Sequence, residues 1–190
     1  METFSAPKEL LENPHYLGQR EHSLRSLDLN AIDVPLKEMI RSFAKLPYCF
    51  TLQCCFGHFL YTGQVNRHNL EPLPVSDNTT TIEYKIAYVA VCIENSRLGK
   101  ELLERLGKIP ALDPEYIQFG CAEWFWARQV NSYALQVEPQ RFKDKDTCVV
   151  AYKEALHLEK VKQSFFIQLN QLIREALSIE RGRGKPKTHS

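Results

Sequence analysis

From Tyr152 to Ile179 apolar residues recur at helical spacing: Leu158, Val161, Phe165, Leu169, Leu172 and Ala176. Steps of three and four put them on one stripe of a helix of about seven turns. A stripe that long must be covered, and more often it packs on the chain's own sheet than on a partner helix. The clearest strand for that sheet runs from Thr80 to Ile93. There Ile82, Tyr84, Ile86 and Tyr88 alternate with Lys85, Ala87, Val89 and Val91, so the end of the strand is apolar on both faces. The expected fold class is α+β: a single domain with a mixed β-sheet packed by helices at 34–46, 97–106 and 153–179.

Other elements follow from local signals. Asp33 and Pro35 suit the cap and first turn of a helix that places Leu36, Ile40 and Phe43 on one face. Pro47 ends it. Tyr48–Leu52 and Phe59–Tyr61 are β-prone, and Gly57 between them predicts strand, tight loop, strand. Residues 62–80 read as a long loop. Asn95 or Ser96 caps the helix at 97–106, with Gly107 as a left-handed stop. Tyr116–Phe119, Ala122–Arg128 and Ser132–Val137 read as strands joined by short turns. Residues 1–30 are polar and read as a loosely attached arm with a short helix at Lys8–Glu12. The domain is expected over 31–179, and 180–190 as a disordered basic tail.

The 190 residues suffice to bury roughly 70% of the unfolded surface without a metal or disulfide. Lys plus Arg number 24 against 23 Asp plus Glu, a net charge of +1, which argues against coating nucleic acid by bulk charge. The start, METFSAPKELLENPHYLGQREHS, has no apolar run behind basic residues, and the six cysteines are irregularly spaced. The expectation is a cytoplasmic, non-membrane protein with free thiols.

Three of those cysteines fall in Cys49-Phe-Thr-Leu-Gln-Cys-Cys-Phe-Gly-His58. Cys49, Cys54, Cys55 and His58 make the right number of ligands for tetrahedral zinc. The spacing lacks the paired Cys-x2-Cys knuckles of common zinc modules, and Cys54 and Cys55 would face opposite sides of a strand. Alternatively, a sharp turn at Gly57 would bring the Cys55 thiol and the His58 ring to one pocket, as a nucleophilic pair or as a ligand site. A third constellation is Glu123-Trp-Phe-Trp-Ala-Arg128. On a strand, Trp124, Trp126 and Arg128 would share a face, either as a stacking platform or as the rim of a core.

The helix start at Asp33-Val-Pro35, the apolar helix after it and the window Thr51-Leu-Gln-Cys-Cys-Phe-Gly-His58 resemble the wybutosine-synthesising tRNA methyltransferase family. That family carries Thr-Thr-Ser-Ser-Cys-Ser-Gly-Arg in this place. Thr51, Cys55 and Gly57 match, whereas His58 stands where the family has arginine. The order of elements over about 32–178 is similar too. The resemblance implies an α+β domain that binds S-adenosylmethionine and a modified guanosine of tRNA. Asp33, Thr51, Cys55, Gly57, His58, Trp124, Trp126 and Arg128 are then the candidate binding residues. Two other readings stand beside it: a non-catalytic interaction protein using the long C-terminal helix, and a small zinc-binding module.

Overall fold

The computed structural model describes residues 4–64, 70–74 and 80–183. In chain order come β1 (Phe4–Ser5), α1 (Tyr16–Arg25), a 3-10 turn (Val34–Leu36) running into α2 (Lys37–Phe43), β2 (Cys49–Leu60), β3 (Thr81–Ile93), α3 (Arg97–Leu106), β4 (Ile117–Ala122), α4 (Glu123–Arg128), β5 (Ser132–Val137), β6 (Thr147–Ala151) and α5 (Tyr152–Arg183). The sheet order is β1-β4-β5-β3-β2, with β6 also on β3. The α+β class and the long closing helix are present as expected.

The sheet is antiparallel at every pairing rather than mixed. Helix α3 carries the chain from β3 past one strand position to β4, and β5 turns back into the gap, so the parallel pair β3 and β4 never touch. Strand β3 is central. It pairs with β2 on one side and on the other first with β6 (from Thr81 to Lys85), then with β5 (from Ala87 to Cys92). At the change of partner the Ile86 amide donates to Asp146 O at 3.1 Å. The Tyr84 hydroxyl lies in the same gap, donating to Val137 O at 2.9 Å and accepting from the Ala87 N–H at 3.1 Å.

The α5 stripe is buried as its spacing predicts, against Leu36, Met39, Ile40 and Phe43 around α2 and against Val89, Val91, Leu135 and Val137 of the sheet. Each such side chain contributes roughly 1.5–3 kcal/mol on burial. The sheet therefore occupies the seam that an interaction protein would offer a partner helix. On the other face Tyr16, Phe50 and Cys92 form a small cluster at α1.

Several expectations change. Residues 49–60 make one strand, with Gly57 inside it at φ +83° instead of at a hairpin loop. Residues 123–128 are helical rather than extended: Trp124 packs edge-on against Phe125, and Trp126 turns to Tyr133. Ser96 caps α3, accepting the Gly99 N–H at 3.2 Å. Gly107 stays right-handed at φ −63°, as the chain continues directly into a 3-10 turn (Ile109–Leu112). The arm is not loose, and its helix lies at Tyr16–Arg25 rather than Lys8–Glu12. Its polar groups grip backbone, a bonding that hydropathy does not register. Tyr16 donates to Pro47 O, Arg20 to Ala44 O and Leu46 O, and Asn131 bonds both the N–H and the C=O of Leu11. Much of the 62–80 loop, and the tail from 184 onward, lie outside the described residues; 180–183 continue α5.

A Cβ at Gly57 would lie 2.8 Å from Ala87 Cβ and 3.0 Å from Ala87 N, whereas one at Gly63, also at positive φ (+89°), meets nothing within 4 Å. Gly57→Ala is expected to cost about 1–3 kcal/mol from backbone strain and overpacking, against about 1–2 kcal/mol at most for Gly63→Ala from strain alone. Urea unfolding of both variants measures the difference; equal losses would show that the Ala87 contact is unimportant.

Candidate functional site

Some of the residues singled out in the sequence gather in two places, and others, Thr51 and Trp126 among them, join neither. The first is the edge strand β2. There the left-handed conformation of Gly57 interrupts the alternation that would send residues three apart to opposite faces. Cys55 Sγ, a His58 ring nitrogen and an Asp33 carboxylate oxygen consequently lie within 4.8 Å of one another. Asp33 does not cap its helix. Its Oδ2 instead accepts the Phe56 N–H at 2.7 Å and lies 3.5 Å from His58 Nε2. The thiol is buried, while the His58 and Asp33 side chains keep 12% and 23% exposure, so the group is reached from the Asp33 side.

Burial pushes the Cys55 thiol up, opposed chiefly by the Gly57 N–H. A protonated, buried thiol is a poor nucleophile, so the catalytic Cys55–His58 pair has no support from its electrostatics. Cys49 and Cys54 do not join the group. Cys49 is sealed in the core, and burial holds Cys54 up at about 11. All six cysteines are free, as expected. Thr51 lies four residues up the strand from Cys55, about 13 Å at strand rise, and its carbonyl accepts from Ser23 Oγ at 3.1 Å.

The second place is a cavity of about 410 Å3 on the sheet face. Gln53, Tyr88 and Gln136 of β2, β3 and β5 contribute to its floor, and Trp124 and Phe125 of α4 to one wall. Lys85, Lys143 and Lys145 bring positive charge, partly offset by Asp144 and Asp146 beside them. The Tyr88 hydroxyl donates to Gln53 Oε1 at 3.2 Å, and Asp144 Oδ1 accepts the Phe4 N–H at 3.0 Å. The Arg128 guanidinium lies over the Trp124 ring at 4.0 Å and donates to Trp124 O at 3.0 Å. Trp126 points elsewhere, edge-on to Tyr133 with Lys8 Nζ over its ring at 4.9 Å. The expected shared face of Trp124, Trp126 and Arg128 is thus divided: helix spacing pairs Arg128 with Trp124, four residues earlier, and turns Trp126 toward the core.

Sequence reasoning missed the cavity's lysines and Glu138. Lys85, the last charged residue before the apolar half of β3, was the available signal; Lys143 and Lys145 come from the charged turn before β6, which no periodicity places. Glu138 is fully buried next to this wall. Gln136 Nε2 donates to its Oε1, while its Oε2 has no hydrogen-bond partner among the described residues. Desolvation, with help from Asp144 and Asp146, pushes its carboxyl up to about 8.

No protein-family model and no curated protein matches this chain. Among solved structures, a hypothetical protein from Aeropyrum pernix is similar at TM-score 0.41 and 12% identity, the match covering 76% of this chain and 96% of that one. No helix among the described residues is long and apolar enough to cross a membrane.

Glu138 makes stability depend on pH in a direction that can be checked. Its folded pKa of about 8 lies above the ordinary 4.5, so the folded protein holds a proton that the unfolded chain releases. The associated stability is complete below about 4.5 and is lost as pH rises to about 8. Glu138→Gln keeps the acceptor for Gln136 and removes the titration. Relative to wild type it should gain more than about 1.4 kcal/mol between pH 5 and pH 8, the equivalent of one pKa unit. Urea unfolding at the two pH values measures the gain, and a difference independent of pH would contradict the assignment.

Proposed function

We propose that this chain is a divergent relative of the wybutosine-synthesising tRNA methyltransferases, and that the sheet-face cavity binds S-adenosylmethionine and a nucleoside of tRNA. The observation that carries the reading is an aromatic wall and a group of lysines sharing one cavity. Its volume falls within the roughly 300–1,000 Å3 of small-molecule sites. S-adenosylmethionine combines a flat adenine, a sulfonium cation and a carboxylate. Trp124 and Phe125 suit the first two by stacking and by cation–π attraction. Lys85, Lys143 and Lys145 suit the carboxylate, or the phosphates of an RNA strand. The Gln53 Nε2 can donate to a base edge and the Gln136 Oε1 accept from one, the other ends of these amides being held by Tyr88 and Glu138.

Gln53 also belongs to the window that carries the family resemblance, replacing one of its serines. The reading thereby moves the ligand from the Cys55–His58 turn to the adjoining sheet face. It assigns Thr51 and Trp126 to structural roles, and gives Arg128 the task of orienting Trp124.

Calorimetric titration of the full chain with S-adenosylmethionine should give saturable binding. Trp124 is 43% exposed, so Trp124→Ala leaves the core intact. It should weaken binding by about 1–3 kcal/mol, the usual worth of one stacked base. Absence of heat at millimolar ligand would reject the reading, as would undiminished affinity in Trp124→Ala.

A further inference from the structure

We propose that Asp33, Cys55 and His58 form a binding site for one divalent metal ion of the zinc class. Their donor atoms lie within 4.8 Å of one another. They come from two separate stretches of chain, and the left-handed backbone at Gly57 makes the meeting possible, because residues 55 and 58 of a regular strand would diverge. Thiolate sulfur, imidazole nitrogen and carboxylate oxygen are each ordinary zinc donors, and three protein ligands leave the fourth tetrahedral position for water or a substrate atom.

Two further observations point to a ligand. His58 Nδ1 is buried and has no hydrogen-bond partner among the described residues, while Nε2 faces Asp33 Oδ2 at 3.5 Å, so one ring nitrogen is left for a ligand. Asp33 Oδ2 is oriented by the Phe56 N–H, a support of the kind that fixes metal-ligating carboxylates. Charge also balances: a thiolate and a carboxylate neutralise a divalent cation, which is what a poorly solvated site requires. Lys162 approaches from α5, its Nζ at 3.4 Å from Gly57 O. Its charge is paired with Glu159 at 2.7 Å and rests on the rings of Phe56 and Phe59 at 4.7 and 4.8 Å. It therefore brings little uncompensated positive charge to the site. The zinc expectation from sequence had Cys49 and Cys54 in place of Asp33; strand geometry excludes both and substitutes a residue 22 positions before Cys55.

The site stands apart from the cavity proposed for S-adenosylmethionine, since none of its three residues lines that cavity. The test is titration of the full chain with cobalt(II) under reducing, chelator-free conditions. The expected result is a thiolate-to-cobalt charge-transfer band that saturates at one equivalent and is bleached by zinc. Cys54→Ser should retain the band, Cys55→Ser should lose it, and Asp33→Asn should weaken cobalt binding on the order of tenfold or more. Circular dichroism establishes that each variant is folded; should Cys55→Ser not fold, a loss of affinity of the same order in His58→Ala decides the matter. A wild-type chain without the band overturns the proposal, as does a band that survives in folded Cys55→Ser or an affinity unchanged in His58→Ala.

Discussion

The change of partner along β3 governs most of this structure. Up to Lys85 the strand pairs with β6, and from Ala87 onward with β5, so its ladder must be stitched at Ile86. Three groups do this: the Ile86 amide reaching Asp146, the Tyr84 hydroxyl bridging Val137 and Ala87, and Gly57 bringing β2 against Ala87 with no side chain between. Both candidate sites derive from the stitch. It holds the turn carrying Lys143 and Lys145 over the sheet face. It also lets β2 break its alternation, which brings His58 to Asp33.

The parts of the fold legible in sequence were those set by periodicity. The α5 stripe, the β3 alternation and the Ser96 cap each express a local rule, and the folded chain obeys all three. Parts set by single polar contacts were not legible. Asp33 sits where a helix cap belongs, yet its carboxylate serves a strand amide 23 positions on. Residues 123–128 alternate like a strand but form a short helix, in which Trp124 packs on Phe125 and beneath Arg128 while Trp126 turns to Tyr133. The cavity was the least visible feature, because it gathers residues from five strands, one helix and one turn.

Asn131 shows how tightly the N-terminal segment is bound. It is fully buried with φ +62°, a backbone conformation that asparagine tolerates better than most residues. Its side-chain amide accepts from Leu11 N at 2.8 Å and donates to Leu11 O at 2.7 Å, reproducing the two bonds of a β-pair. Tyr133 adds a bond to Lys8 O at 2.9 Å, and β1 continues the attachment onto β4. Residues 4–30 thus pack on the rest of the domain, and Phe4 stands in the cavity wall.

The bond from Phe56 N–H to Asp33 has a consequence for how these molecules meet one another. Strand β2 ends the sheet, and an uncovered terminal strand templates the growth of intermolecular ribbons. Asp33 occupies one of the amides such a ribbon would need and places a negative charge in the path of an incoming strand. At the opposite border β1 occupies β4 in the same way. The carboxylate at position 33 thus shapes the outer edge of β2 as well as the local geometry of the Cys55–His58 segment.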